Sequence, residues 1–92
     1  MAVEVEWLSD KKMNTIIEDR EFDLLYPSVL FLKEKTGIYI DRYGHKTRVY
    51  PAHLRILVQH VMTSNNSGAL KETLTFFEHA IQHNEVLCFI GD

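Results

Sequence analysis

Val3, Val5 and Trp7 alternate with Glu4 and Glu6 near the amino end of the chain. A period of two is that of a strand with one face in a core and one in water. Beyond it the spacing changes. Met13, Ile16 and Ile17 fall at helical intervals, and Ser9 or Asp10 can cap a short helix reaching about Glu18, because their side-chain oxygens accept orphan amide protons. Glu18-Asp19-Arg20-Glu21 is too polar to pack and reads as a connection. A second helix is expected from about Glu21 to Lys35, where Phe22, Leu25, Val29 and Leu32 recur on one face and Leu24, Leu30 and Phe31 widen the stripe. Pro27 belongs to its first turn or else kinks it. Lys33 and Lys35 suit the negative end of the helix dipole, and Gly37 suits a left-handed cap.

Ile38 to Tyr50 carries a hairpin signal. Ile38 and Ile40 alternate with Tyr39 and Asp41, and Thr47 and Val49 alternate with Lys46, Arg48 and Tyr50. Between them Arg42-Tyr43-Gly44-His45 offers a glycine able to take positive φ. Pro51 then fits the first turn of a helix whose apolar face is Leu54, Val58 and Val61, flanked by Leu57 and Met62. Thr63-Ser64-Asn65-Asn66-Ser67-Gly68 is a loop. A last helix is expected from about Ala69 to His83 on Leu70, Leu74, Phe77 and Ile81, with Asn84 as its stop. Val86-Leu87-Cys88-Phe89-Ile90 is a nearly continuous apolar strand. A strand without alternation is covered on both faces and central in its sheet. The predicted order is β-α-α-β-β-α-α-β. It describes a two-layer α+β domain with a mixed or antiparallel sheet of about four strands and helices packed on it.

At 92 residues the chain is sized for one domain, 1–92, with a modest core. No apolar run approaches the ~20 residues that span a bilayer. The acidic, alternating start lacks the basic and apolar regions of a signal peptide. One cysteine forms no internal disulfide, which points to a reducing cytoplasm. The net charge of −3 is unevenly spread. Residues 1–23 hold seven acids and three bases, while residues 24–68 hold two acids and six bases. A protein patterned this way can present two electrostatically distinct faces.

No catalytic constellation stands out. Cys88 lies in an apolar strand, whereas a reactive thiol needs exposure and nearby positive charge. Ser9, Ser28, Ser64 and Ser67 sit in no GxSxG context, and the glycines form no phosphate-cradling loop. His79 and His83 share a helix face at a spacing that metal sites use, but no second ligand pair accompanies them, and two solvated histidines account for them as well. His53 and His60 flank an apolar stripe, where partial burial or a hydrogen bond to a neighbouring element is expected. The Glu18-Asp19 and Glu21-Asp23 carboxylates lie in a polar stretch without a pocket to shift them. The sequence therefore points to a non-catalytic domain with no metal or other cofactor.

Two surfaces remain. One is acidic: Glu4, Glu6, Asp10, Glu18, Asp19, Glu21 and Asp23, suited to steering and docking a basic partner. The other is the hairpin: Tyr39, Arg42, Tyr43, His45, Lys46, Arg48 and Tyr50. Interleaved bases and aromatics serve single-stranded nucleic acids, through phosphate neutralisation and stacking, and serve protein hot spots equally well. The expectation is a stoichiometric protein binder, most concretely an inhibitor or immunity-type protein that neutralises a basic toxin or nuclease through its acids. A nucleic-acid-binding or regulatory module using 38–50 is an alternative. A homo-oligomeric subunit is another, with strand 3–7 as an exposed edge that pairs across a two-fold axis.

Overall fold

The computed structural model describes residues 2–91. Its elements are strands β1 (Val3–Trp7) and β2 (Asn14–Ile17), helix α1 (Asp19–Thr36), strand β3 (Lys46–Val49), helices α2 (Pro51–Met62) and α3 (Lys71–Gln82), and strand β4 (Leu87–Ile90). The strands form one antiparallel sheet in the order β2-β1-β4-β3. The α+β class and the helix-on-sheet architecture are as the pattern predicts.

Pairing and register divide the sheet into two faces. Ile17, Val3, Val5, Trp7, Leu87, Phe89 and Val49 point to one side, where they are buried with Phe22, Leu25, Val29 and Leu32 of α1, Leu54, Leu57 and Val61 of α2, and Leu74, Phe77 and Ala80 of α3. All three helices contribute to this one core. The opposite side presents Asn14, Ile16, Glu4, Glu6, Cys88, Ile90, Lys46 and Arg48, and none of the described helices covers it. β4 is central, as its apolar run implies. Among the described residues no element supplies the cover expected on its second face, although the surrounding side chains leave Cys88 only 8% exposed.

Three local assignments differ from the pattern. The stretch from Ser9 to Ile17 is the turn and second arm of a hairpin, not a helix. Asp10 turns the chain instead of capping a helix: its carboxylate accepts the Lys12 amide two residues on, and the Met13 amide returns to the Asp10 carbonyl. Thr15-Ile16-Ile17 is β-branched throughout, and pairing with β1 buries Ile17 completely. A helical reading of Met13, Ile16 and Ile17 sees the same apolar residues but misses the partner strand that decides between periods. β1 is consequently flanked on both sides, so residues 3–7 are not an edge and cannot pair across a two-fold axis.

The second difference is the hairpin over 38–50. Only Lys46–Val49 is a strand, and it pairs with β4 instead of with 38–41. Asp41 takes the Tyr43 amide into a side-chain turn at 2.8 Å, and the Thr47 hydroxyl reaches the Tyr39 carbonyl at 3.3 Å where a ladder bond would run. Gly44 has the expected positive φ of 86°.

The polar stretch at Glu18 is the start of α1, not a connection. The Glu18 amide donates to the Glu21 carboxylate at 3.1 Å, the side-chain cap that lets a helix begin on acids. Pro27 therefore lies in the helix interior, where it removes the amide that would donate to the Asp23 carbonyl. Gly37 closes the helix in the left-handed conformation, with its amide on the Lys33 carbonyl at 2.8 Å.

Candidate binding surfaces

The first turns of α1 and the turn at 41–43 meet at one end of the sheet. Helical spacing sets Asp19, Asp23 and Tyr26 on one side of α1, next to buried Phe22. Across from them the chain presents Tyr39, Arg42 and Tyr43. The Arg42 guanidinium donates through Nη2 to Asp23 Oδ1 at 2.8 Å and lies over the Phe22 ring at 4.3 Å. The Tyr26 and Tyr39 hydroxyls are 3.4 Å apart, and Lys33 Nζ sits 4.8 Å above the Tyr39 ring. Asp23, Tyr26, Tyr39, Arg42 and Tyr43 enclose a surface cavity of about 210 Å³. Tyr43, 61% exposed, forms its outer lip.

Electrostatics fix the charge states here. Burial works against the Arg42 charge, but the bonds to Asp23 and Tyr43 outweigh it and raise its pKa further above its ordinary value. Its Nε is buried without a hydrogen-bond partner among the described residues. The Tyr39 hydroxyl is held above its ordinary range by its hydrogen bond with Tyr26 and then by burial, so it stays neutral.

The two surfaces expected from the sequence are thus rearranged. The acids divide. Glu18, Asp19, Glu21 and Asp23 gather at the start of α1, with Glu21 engaged in the cap and Asp23 paired to Arg42. Asp10 belongs to the β1–β2 turn. Glu4 and Glu6 lie on the open sheet face. The hairpin residues divide too. Tyr39, Arg42 and Tyr43 line the cavity, His45 lies 3.8 Å from Asp41, and Lys46 and Arg48 point out of the open face beyond β4 from Glu4 and Glu6. Tyr50 stands apart, edge-on to His53 at 6.4 Å. Tyr26 was not evident from the sequence. The signal was present in its spacing, an aromatic three residues after Asp23 and off the Phe22–Leu25–Val29–Leu32 stripe.

His60, His79 and His83 have structural partners, whereas His53 Nδ1 is buried without a hydrogen bond among the described residues. His60 Nδ1 is 2.7 Å from the Ser28 hydroxyl, joining α2 to α1, and its ring stacks on Phe31 at 4.3 Å. A serine beside an imidazole suggests a nucleophile and its base, but Ser28 is only 2% exposed. No carboxylate orients His60 among the described residues. His79 and His83 are less free than solvated histidines, since both rings pack against Trp7, at 5.3 and 5.5 Å. His79 also borders a broad cleft of about 520 Å³ between β2 and α3 lined by Asn14, Glu72, Phe76, Glu78 and Gln82. Among the described residues, no three His, Cys, Asp or Glu side chains are grouped to hold a metal ion. None of the described helices is long and apolar enough to cross a membrane.

The fold and this surface define a two-layer α+β domain with an acid-flanked tyrosine–arginine cavity. No family model, characterised protein or solved structure matches the chain.

Proposed function

We propose that this chain is a non-catalytic protein-binding domain of the cytoplasm whose contact surface is the cavity between α1 and the 41–43 turn. In its most concrete form it is an inhibitor or immunity-type protein that covers a basic partner such as a toxin or nuclease. The observation that carries this reading is the Asp23–Arg42 pair, because it joins the acids of α1 to the tyrosines of the following segment. Tyrosine and arginine are the residues on which protein interfaces concentrate binding energy, offering wide contact area with polar handles. Arg42 and Tyr39 are held in place before any partner arrives, which lowers the ordering cost of association. Residues 18–23 contribute four carboxylates against Arg20, so the approach to the cavity favours a cationic surface.

Nucleic acid is supported less well by the same geometry. A stacking platform needs aromatics among the bases. Here Lys46 and Arg48 project from a sheet face that also carries Glu4 and Glu6, while Tyr39, Tyr43 and Tyr50 lie elsewhere.

The test is differential capture from a lysate of the source cell. Tyr26→Ala/Tyr43→Ala should lose a protein that the wild-type chain retains, with its thermal midpoint little changed. Retention of the same proteins by both would reject the cavity. A single-stranded oligonucleotide that binds at low salt with a steep salt slope would favour the nucleic-acid reading instead.

A further inference from the structure

The uncovered face of the sheet is patterned for a partner of its own. β4 runs Leu87-Cys88-Phe89-Ile90, with Leu87 and Phe89 in the core and Cys88 and Ile90 on the open side. An apolar run of this kind belongs to a strand covered twice, and the described residues cover it once. The register aligns the open face in two rows, Ile16–Glu4–Ile90–Lys46 and Asn14–Glu6–Cys88–Arg48. Each row thus has an acid on β1, an apolar centre on β4 and a base on β3. Acid and base are two strands apart, roughly 10 Å at ~4.8 Å per strand, too far to pair directly. None of the four charged residues has an ion pair among the described residues.

We propose that a second copy of this chain covers the face, related by a two-fold axis that runs along β4 between the stacked sheets. Rotation about that axis exchanges the β1 side with the β3 side and leaves each row at its own level. Glu4 then faces Lys46 of the second copy, Glu6 faces its Arg48, and Ile90 and Cys88 meet their own counterparts. Each charged contact occurs twice and each apolar self-contact lies on the axis, as an isologous interface requires. An axis across the strands would set Glu4 and Glu6 against the same acids of the other copy, which like-charge repulsion opposes. The complementarity is of the face to itself, which identifies a second copy as its occupant. Stacked sheets lie about 10 Å apart, so the two Cys88 side chains approach while their Cα atoms stay beyond disulfide reach. Four short strands offer about 20 by 14 Å, less than the ~800 Å² per partner of a standard interface, so the dimer is weak.

Sedimentation velocity from micromolar to millimolar protein tests this. The wild-type chain should shift from monomer to dimer within that range, and less readily at high salt. E4K/E6K and K46E/R48E should each weaken the dimer more than about tenfold, since each places like charges face to face. Mixed in equal amounts, the two variants should form a heterodimer, because the acids of one then meet the bases of the other at all four positions. A wild-type chain that stays monomeric, variants that dimerise unchanged, or a mixture that does not pair would overturn the proposal. An independent readout needs no variant. Alkylation of Cys88 by a maleimide should slow as wild-type concentration rises through the dimer range, and a concentration-independent rate also counts against the dimer.

Discussion

Ser28→Ala separates a structural histidine from a catalytic one. The Ser28 hydroxyl is 2.7 Å from His60 Nδ1 and nearly fully buried, and this bond ties α1 to α2. A net hydrogen bond contributes ~0.5–1.5 kcal/mol, and an orphaned buried partner costs ~1–3 kcal/mol. His60 is half-buried, so water recovers part of the loss when Ser28 is truncated. The expected cost of Ser28→Ala is about 1 to 1.5 kcal/mol. At roughly 4–8 °C per kcal/mol for a domain of this size, the midpoint should fall by about 5–10 °C. His60→Leu keeps an apolar side chain against Phe31 but strands the Ser28 hydroxyl inside the core, so it should cost more than Ser28→Ala. The double variant then has no polar group left to strand. Its cost should fall short of the summed single costs by about 1 kcal/mol. Urea unfolding of the four proteins, followed by circular dichroism, measures that coupling. Costs that add to within ~0.5 kcal/mol would show that the bond does not act as a helix tie.

Other perturbations probe the joint between the 38–45 segment and the sheet. An ideal Cβ at Gly91 would clash with the Asp41 carbonyl oxygen and stand 2.7 Å from the Arg42 carbonyl carbon, both main-chain atoms with little room to yield. Gly91→Ala should therefore destabilise by about 1–3 kcal/mol, as overpacking does, whereas Gly68→Ala, with open space around it, makes no such clash. Equal unfolding midpoints for the two would contradict the close approach. Tyr39 is raised above its ordinary 10.0 by its bond to Tyr26 and by burial. The folded state thus holds this proton longer than the unfolded chain. The resulting stability is complete below pH 10.0 and is lost as pH climbs through the folded value. Tyrosinate absorbance, taken as the difference between wild type and Tyr39→Phe, should show the late titration. Tyr26→Phe should bring it back down, and an unmoved curve would remove the hydroxyl pair from the account.

Much of the core was legible because its signals are local. Val3, Val5 and Trp7 alternate, Phe22 to Leu32 keep helical spacing, Gly37 and Gly44 supply positive φ, and Pro51 opens a helix. The misreadings arose where a distant partner decides. Ile16 and Ile17 satisfy a helical period and a strand period alike, and only β1 beside them selects the strand. Ile38 and Ile40 alternate like a strand, yet β4 takes Lys46–Val49 and leaves 38–41 to pack without a ladder. The site followed the same rule. Arg42, Tyr39, Tyr43 and Asp23 were each identifiable by type. That an acid of one candidate surface pairs with a base of the other depends on how the start of α1 meets the 41–43 turn, which spacing along the chain does not encode. The arrangement also refines the choice of probes. Glu21 caps α1, so reversing its charge perturbs the helix along with the surface, and Tyr26 and Tyr43 are cleaner sites for testing binding.

The central claim is that a protein partner docks on the tyrosine–arginine cavity. Amide chemical-shift mapping of the ¹⁵N-labelled chain, titrated with the protein it captures, tests it most directly. Shifts should concentrate in residues 19–26 and 39–45 and vanish with Tyr26→Ala/Tyr43→Ala. Shifts centred on the β2–α3 cleft or on the open sheet face, with 19–26 and 39–45 unmoved, would contradict it.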